Sequence, residues 1–393
     1  MMNEILAKAK ALEEQIIADR RALHGIPETG VYTPQTAGYI KQRLTEMGIA
    51  HQNCGIHKKE DREKLMFVGF PDAPESTGVV AVIGEGAPCI LLRADMDALP
   101  IHETSGLPFA AAGANGHMCG HDAHAAMLLG AAKILKDSQF PGTVKLMFQP
   151  GEELGYGSCT MVDDGLLENP KVDVAMALHV APQSPVGSLQ YTPGVASGAM
   201  ATFLVNIQGK GGHSSEPHKT IDPLNIADQI CHGLNLLIPR EVDPEAFATL
   251  TVGALRSGTA SNIIPDTADL MISFRTLSPD AYEHLMVRIP ELLDHYVKAW
   301  RGTYEVRILK TPSTVCNPEF SAELIPFATQ ILGKEQICAI PPMKGAEDFG
   351  GVTREVPGFY AHLGAGSAES APLHNPNLML DERAFALGSA LYA

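Results

Sequence analysis

One thiol and three imidazoles occur within eight consecutive residues of this chain, from His117 to His124. Thiolate and imidazole are the ligands that zinc and similar divalent ions select. Further candidate ligands follow much later in the chain, namely the acidic pair Glu152 and Glu153, then His179 and His374. The chain must therefore fold so that distant segments meet around one metal site. Scattered ligands of this kind are typical of an active site rather than of a structural zinc clip.

Short apolar runs alternate with helix-like segments in the first half of the chain. Residues 78–83, 89–94, 143–148 and 172–179 predict buried strands, and residues 3–24 and 123–136 predict helices. This alternation favours an α/β fold with a mainly parallel sheet that is covered on both faces. Ligands collect at the carboxyl ends of such strands. Asp95, Asp97, the two glutamates and His179 all fall where a predicted strand ends, so we expect them at one edge of the sheet.

The pattern changes between residues 195 and 310. Predicted strands at 200–208, 247–255, 268–276 and 303–309 are combined with predicted helices at 222–237 and 279–300. Their order is β-α-β-β-α-β, which predicts a ferredoxin-like α+β unit. We therefore predict a main domain formed by residues 1–192 and 312–393, with residues 195–310 inserted into it. The polar segment 57–77 is interpreted as a surface excursion.

Composition limits the partners of the chain. With 29 basic and 45 acidic residues the net charge is −16, which argues against binding to nucleic acid or to an anionic membrane surface. No segment approaches the roughly 18 apolar residues of a membrane span. The seven cysteines are dispersed and odd in number, which favours reduced thiols in a cytoplasmic protein over a disulfide framework.

Spacing alone leaves several alternatives open. Side chains of adjacent residues on extended backbone point apart, so one of Glu152 and Glu153 could bind metal while the other acts as a base. Adjacent glutamates are also common on solvated surfaces, and a histidine such as His179 is more often a core residue than a ligand. His374 could equally be an ordinary loop residue. The chain lacks the nucleophile elbow of serine hydrolases, a complete dinucleotide fingerprint and the motifs of zinc nucleobase deaminases.

Three motifs taken together resemble the aminoacylase-type metalloamidohydrolases. They are residues 92–100 (LRADMDALP), 117–124 (HMCGHDAH) and 148–153 (FQPGEE). This family includes hippurate hydrolases, plant auxin–amino-acid conjugate hydrolases and N-acetyldiaminopimelate deacetylases. Residues 209–217, 261–265 and 345–349 match the family in the same order, and the resemblance runs from residues 21–24 to the C-terminal histidine. The fold that it implies is a mainly parallel-sheet α/β metallohydrolase domain with an inserted ferredoxin-like α+β domain.

The resemblance also implies a set of site residues. Two divalent ions per subunit are expected, zinc or manganese, with cobalt or nickel as further possibilities. Cys119 would bridge the two ions, His121 and His179 would complete the coordination of one, and Glu153 and His374 that of the other. Glu152 would be the general base, and Asp97 would orient a ligating imidazole. His213 and Asn262 would hold the oxyanion or the substrate carboxylate, with His213 supplied by the partner subunit of a homodimer or larger oligomer. Members of this branch usually carry an acidic residue where this chain has residues 31–34 (VYTP).

The expected reaction is hydrolysis of the amide bond of a small N-acyl amino acid, which releases a carboxylic acid and a free amino acid. A dipeptidase or carboxypeptidase would use the same dinuclear site and differ in the pocket for the acyl side. A non-catalytic binding protein on the same fold would normally have lost a ligand or the base, whereas this chain has a residue of the required type at all six positions.

Overall fold

A computed structural model describes residues 2–55 and 77–393 of the chain. Apart from Thr77, the surface excursion predicted at 57–77 lies outside the described residues. The chain divides into two compact units. The first comprises Met1–Ala196, Thr314–Pro341 and Asp348–Ala393, and the second comprises Ser197–Ser313 and Pro342–Glu347.

The helices and strands are numbered here in chain order. The helices are α1 Met2–Ala11, α2 Glu13–His24, α3 Pro34–Glu46, α4 His121–Lys136, α5 Gly157–Asp163, α6 Pro223–Glu241, α7 Pro279–Ala299, α8 Pro318–Leu332, α9 Gly350–Thr353 and α10 Arg383–Tyr392. The strands are β1 His51–Cys54, β2 Gly78–Glu85, β3 Cys89–Asp95, β4 Gly142–Gln149, β5 Val174–Pro185, β6 Leu189–Tyr191, β7 Gly194–Val195, β8 Ala199–Gln208, β9 Gly212–His213, β10 Ala248–Ser257, β11 Ile263–Ile264, β12 Thr267–Thr276, β13 Thr303–Thr311, β14 Val315–Cys316, β15 Ile337–Ala339 and β16 Gly358–Gly366.

The first unit is built on an eight-stranded sheet in the order β1-β2-β4-β3-β5-β16-β6-β15. Its centre is parallel, because β3 pairs in parallel with both β4 and β5, and β5 pairs in parallel with β16. Strands β1 and β2 are antiparallel to their neighbours. The predicted α/β fold with a mainly parallel sheet is confirmed.

Helix α4 forms the centre of the core of this unit. Its alanine, leucine and methionine side chains are buried, as expected for a helix that is covered on all sides. The C-terminal helix is joined to the sheet by Tyr392, whose hydroxyl donates to Arg93 O at 2.7 Å and accepts from Leu178 N at 2.9 Å. One phenol thus connects α10 to the two central strands β3 and β5.

Two predicted boundaries were wrong. The helix predicted over residues 3–24 is interrupted at Leu12, whose backbone leaves the helical conformation between α1 and α2. His179 does not close its strand, since β5 continues to Pro185. The extra length is accounted for by pairing with β16, which runs from His179 with His362 to Pro185 with Gly366.

The second unit has the β-α-β-β-α-β order predicted from its sequence. Its four-stranded antiparallel sheet has the order β10-β12-β8-β13 and carries α6 and α7. Apolar residues of the two helices and of alternate strand positions form a separate core, which includes Phe203, Ile230, Phe274 and Leu293. Across residues 2–55 and 77–393, no helix is both long and apolar enough to cross a membrane.

Replacing Gly130 of α4 by alanine should destabilise the first unit. A Cβ atom at this position would lie 2.5 Å from Ser389 Oγ and 2.8 Å from Ile16 Cδ1, so the helices must move apart. Overpacking of this kind costs about 1–3 kcal/mol. Gly38 of α3 is the matched control, since its Cβ would meet nothing within 4 Å and alanine favours the helix. Urea unfolding of both variants measures the difference, and equal stability of the two would contradict this packing.

Candidate metal centre

Cys119 is placed by a glycine that begins helix α4. Gly120 has a φ of 85°, and a Cβ atom there would lie 2.5 Å from Val180 Cγ2, so only glycine fits both the conformation and the space. The thiol is buried at the N-terminal end of the helix. Burial raises the pKa of Cys119 well above its ordinary value. A divalent cation would reverse this direction, because a coordinated thiol is held as the thiolate.

His179 has a defined tautomer that leaves one nitrogen available for a metal. Its Nδ1 lies 2.8 Å from the carbonyl oxygen of Val180, and a carbonyl can only accept, so Nδ1 carries the proton. The lone pair is therefore on Nε2, which lies 3.5 Å from Cys119 Sγ. Burial lowers the pKa of His179 well below its ordinary value and keeps the ring neutral, as a metal ligand must be.

His121 is oriented in the same way by a carboxylate. Its Nδ1 lies 3.3 Å from Asp97 Oδ1, so Nε2 points away from Asp97. Both ring nitrogens are fully buried and neither has a hydrogen-bond partner among the described residues, although such atoms are rarely left unpaired. Burial alone would lower the pKa of His121, but the carboxylate of Asp95 and the Cys119 sulfur raise it well above its ordinary value. The surroundings of this imidazole are thus those that attract a cation.

Glu152 and Glu153 lie on a turn, so the expectation of extended backbone was wrong. Gly155 N donates to Glu152 O, and the preceding Gly151 has a φ of 73°. The two side chains consequently do not point apart. Glu152 Oε2 and Glu153 Oε1 each lie 3.9 Å from His121 Nε2.

Asp97 connects this turn to the imidazole of His121. Its Oδ1 accepts from Glu152 N at 3.1 Å and its Oδ2 accepts from Glu153 N at 3.2 Å. The same Oδ1 faces His121 Nδ1. One buried carboxylate therefore contacts the backbone of both glutamates and the imidazole of His121.

His374 reaches the same place from the C-terminal part of the chain. Its backbone is in the left-handed region, with a φ of 62°, which is uncommon for a residue other than glycine and is frequent at functional sites. His374 N donates to Met118 O at 2.7 Å, and its Nε2 lies 3.3 Å from Glu153 Oε1. The hydrogen bond to Glu153 raises the pKa of His374.

The donor atoms form two groups that share the thiol. In one group the ligand atoms of Cys119, His121 and His179 all lie within 4.8 Å of one another, and in the other those of Cys119, Glu153 and His374 do so. Sulfur, nitrogen and oxygen ligands in such groups suit zinc and similar divalent ions. Together with the unpartnered Nε2 of His121, this donor set fits two ions that share the Cys119 sulfur.

His124 belongs to the motif but is already engaged. Its Nε2 accepts from Val180 N at 2.8 Å, so its Nδ1 carries the proton and donates to Asp95 Oδ1. Asp95 Oδ2 in turn lies 2.8 Å from Arg93 Nη1. Both nitrogens of His124 are therefore used, and the ring supports the site rather than offering a ligand. From the sequence, Asp95 is only a candidate ligand at a strand end. Its contacts with Arg93 and His124 are seen only in the folded chain.

A buried network behind the site was not anticipated. Asp122 Oδ2 is 2.8 Å from both Arg20 Nε and His24 Nδ1, while His24 Nε2 is 2.9 Å from Glu103 Oε2. Since both ring nitrogens of His24 face carboxylates, the ring must donate on both sides as an imidazolium. Burial would lower the pKa of His24, but Asp122 raises it above its ordinary value. The network fixes the first turn of α4, where His121 lies.

His213 and Asn262 come together within the second unit. They lie in neighbouring segments, with Ser214 N donating to Asn262 O at 3.2 Å and His213 pairing with Ile263 between β9 and β11. Both side chains are exposed. His213 Nδ1 is 2.8 Å from Ser215 Oγ.

The sequence was compared with known protein families and with curated relatives. Residues 91–393 match the peptidase family M20/M25/M40. This chain belongs to that family. It is 34% identical over 378 residues to an N-acetyl-L-cysteine deacetylase of Bacillus subtilis, which covers 95% of this chain and 85% of the relative. It is 33% identical over 405 residues to IAA-amino acid hydrolase ILR1-like 5 of Arabidopsis thaliana, covering 99% and 87%. It is also 31% identical over 406 residues to thermostable carboxypeptidase 2 of Saccharolobus solfataricus, covering 100% and 97%.

Solved structures support the same assignment. A dinuclear metal-binding peptidase of the M20 family from Bacillus subtilis superposes with a TM-score of 0.73 at 27% identity, covering 98% of this chain and 97% of that one. The resemblance to metal-dependent amidohydrolases is confirmed, and the chain is an enzyme that acts on amides. The family includes dinuclear metal enzymes, in agreement with the two ligand groups around Cys119.

Replacing Cys119 by alanine should lower the metal content of the purified protein, because both ligand groups lose their shared atom. We expect fewer than two metal ions per chain by elemental analysis after dialysis against buffer with trace zinc or manganese. Cys316→Ala is the control, since that buried thiol bonds to the backbone of Tyr360 and is in neither ligand group. If the Cys119 variant still retains two ions per chain, Cys119 is not the bridging ligand.

Proposed function

We propose that this protein hydrolyses the amide bond of N-acyl amino acids with two divalent ions. The observation that carries the proposal is that two ligand groups share Cys119, whereas Glu152 lies in neither of these two and is grouped instead with His121 and Glu153. A dinuclear site with an adjacent carboxylate is suited to activating water against an amide carbonyl.

In this proposal Cys119 would be shared by the two ions, His121 and His179 would hold the first, and Glu153 and His374 would hold the second. Zinc and manganese are the proposed metals, with cobalt and nickel as substitutes. When bound, the ions would lower the pKa of the attacking water and polarise the carbonyl of the substrate. The free thiols of all seven cysteines support a cytoplasmic, reducing environment.

Glu152 is proposed as the general base. Its carboxylate is largely buried and lies within 4 Å of His121 Nε2, so it faces the position that the first ion would occupy. Glu152 would take a proton from the attacking water and deliver it to the nitrogen of the leaving amino acid. Asp97 would hold Glu152 in place through the backbone amide of that residue.

The substrate class rests on the relatives. An N-acetyl-L-cysteine deacetylase and an IAA-amino acid hydrolase are both named for N-acylated amino acids, which favours an N-acyl amino acid here. The thermostable carboxypeptidase favours a second candidate, cleavage of peptides. A panel of N-acetyl, N-benzoyl and indole-acetyl amino acids against free dipeptides separates the two. Faster release of amino acid from the dipeptides would make the protein a peptidase.

Replacing Glu152 by glutamine should nearly abolish turnover while the ions remain bound. The carboxamide keeps the size of the side chain but cannot accept a proton at neutral pH. Removing a general base typically costs about 100- to 10,000-fold in rate. Measurement of kcat together with metal content decides the role. A fall of only a few-fold at unchanged metal content would exclude Glu152 as the base.

We also propose that His213 and Asn262 bind the oxyanion or the substrate carboxylate, and that His213 comes from the partner subunit of a homodimer or larger oligomer. Both residues are exposed and lie in neighbouring segments, which supports the proposal because their side chains are available to a ligand. Hydrogen-bond donors at a developing oxyanion contribute about 3–4 kcal/mol each.

Mixing His213→Ala chains with Glu152→Gln chains should restore activity that neither variant has alone. A hybrid dimer would contain one site with an intact base and an intact histidine from the partner. The mixed oligomers are dissociated under mild conditions and reassembled so that subunits can exchange. Copurification of differently tagged chains shows that hybrids have formed. Exchanged mixtures that stay inactive would place His213 in its own subunit's site or outside the reaction.

A further inference from the structure

The two glutamates lie on a short loop whose ends meet. The loop connects the end of β4 at Gln149 to the start of α5 at Gly157. Gly157 N donates to Gly151 O at 3.1 Å. A Cβ atom at Gly157 would lie 1.9 Å from Pro150 O, so the backbone segments cross too closely for any other residue. The position of Glu152 therefore depends on how these two ends are held.

The carboxylate of Asp348 binds both ends of this loop. Gln149 Nε2 donates to Asp348 Oδ1 and Oδ2, at 2.8 Å each, and Ser158 N donates to Oδ2 at 2.9 Å. Ser158 Oγ also donates to the backbone oxygen of Asp348. Gln149 precedes the loop and Ser158 follows it, so one side chain joins the residues on either side. Asp348 lies in the segment 345–349, which resembles the family in sequence but to which the sequence analysis assigns no role.

Arg93 extends the contact to the end of strand β3. Its Nη2 donates to Asp348 Oδ1 at 3.0 Å and its Nε donates to Gln149 Oε1 at 2.8 Å. Its Nη1 is 2.8 Å from Asp95 Oδ2. Asp97, two residues further along, accepts the amides of the two glutamates. The loop is thus held at its ends by Asp348 and in its middle by Asp97.

These groups lie entirely inside the protein. Asp348, Gln149, Ser158 and Arg93 are all fully buried. Removing the carboxylate would leave buried donors without acceptors and Arg93 without one of its counter-ions, which is costly in the interior. If the Asp348 carboxylate only stabilised the fold, its removal would destabilise the whole unit. If it holds the loop, the loss of stability would be concentrated at residues 150–158.

We propose that Asp348 is a positioning residue that sets the geometry of the loop carrying Glu152 and Glu153. The proposal rests on the proposed function only for its effect on turnover, since the effect on the loop can be measured in the protein without substrate. Asp348 contacts neither substrate nor ions in this role. It acts through Gln149 and Ser158.

Asp348→Asn tests the proposal, because the amide places a donor against the donors of Gln149, Ser158 or Arg93. Asp19→Asn is the matched control. Asp19 is also a buried carboxylate, and it accepts from Tyr39 Oη at 2.7 Å and Arg43 Nε at 2.8 Å. It lies on α2, and its hydrogen bonds are to α2 and α3 rather than to the loop. Both proteins are examined with metal bound, by hydrogen–deuterium exchange, by metal content, and by kcat and KM on an N-acyl amino acid.

The expected result is faster exchange of the amides at 151–158 in Asp348→Asn, by about tenfold. We also expect a fall in kcat of about 10- to 100-fold, at unchanged KM and metal content. Asp19→Asn should lose thermal stability while keeping the exchange of the loop and kcat. Unchanged loop exchange in Asp348→Asn, or a kcat equal to that of the control, would overturn the proposal.

Two further outcomes have a defined meaning. If Asp348→Asn does not accumulate as folded protein, the same measurements are made on Gln149→Met. This variant removes the hydrogen bonds between Gln149 and Asp348 and leaves the Arg93–Asp348 ion pair. If the wild-type protein hydrolyses no N-acyl amino acid and no dipeptide, the proposed function fails. The exchange of residues 151–158 then still decides whether Asp348 holds the loop.

Discussion

The candidate metal centre depends on how the Nδ1 atoms of its two buried imidazoles are held. Val180 O accepts the Nδ1 proton of His179, and Asp97 faces Nδ1 of His121. The hydrogen bond fixes the tautomer of His179 and leaves its Nε2 beside Cys119, while Nε2 of His121 faces Glu152 and Glu153. The burial of the Cys119 thiol, the two imidazoles and the Asp97 carboxylate is costly without a cation. Two divalent ions would offset this cost, because the same buried groups would coordinate them.

Around these candidate ligands lies a layer of buried charged side chains that are bonded to one another rather than to solvent. Arg93 joins Asp348 to Asp95, and Asp95 accepts from His124. On the other side, Arg20 and His24 hold Asp122 at the start of α4. Each carboxylate in this layer is close to a cationic or donating partner, as buried charges must be. The layer gives a rigid support to a loop, a helix start and a strand end that are far apart in the sequence.

Much of this architecture follows from local sequence patterns. Apolar runs predict the strands of the parallel sheet, and the spacing of apolar segments between residues 195 and 310 predicts the β-α-β-β-α-β order of the second unit. The continuation of β5 past His179 has a physical cause in its pairing with β16. The break at Leu12 is seen only in the folded backbone. The turn at Glu152 escaped prediction because it depends on Asp97, which accepts backbone amides from another segment. Asp348 could be noticed as part of a motif, but its partners Gln149 and Ser158 become neighbours only in the folded chain.

Anomalous diffraction from crystals grown with zinc or manganese is the most direct test of the proposed dinuclear site. We expect two anomalous peaks per chain, about 3.5–4 Å apart, with the Cys119 sulfur as their common ligand. A zinc–sulfur distance of about 2.3 Å to both peaks would establish the bridge. A single peak, or a peak between Asp95 and His124 in place of those beside Cys119, would contradict it.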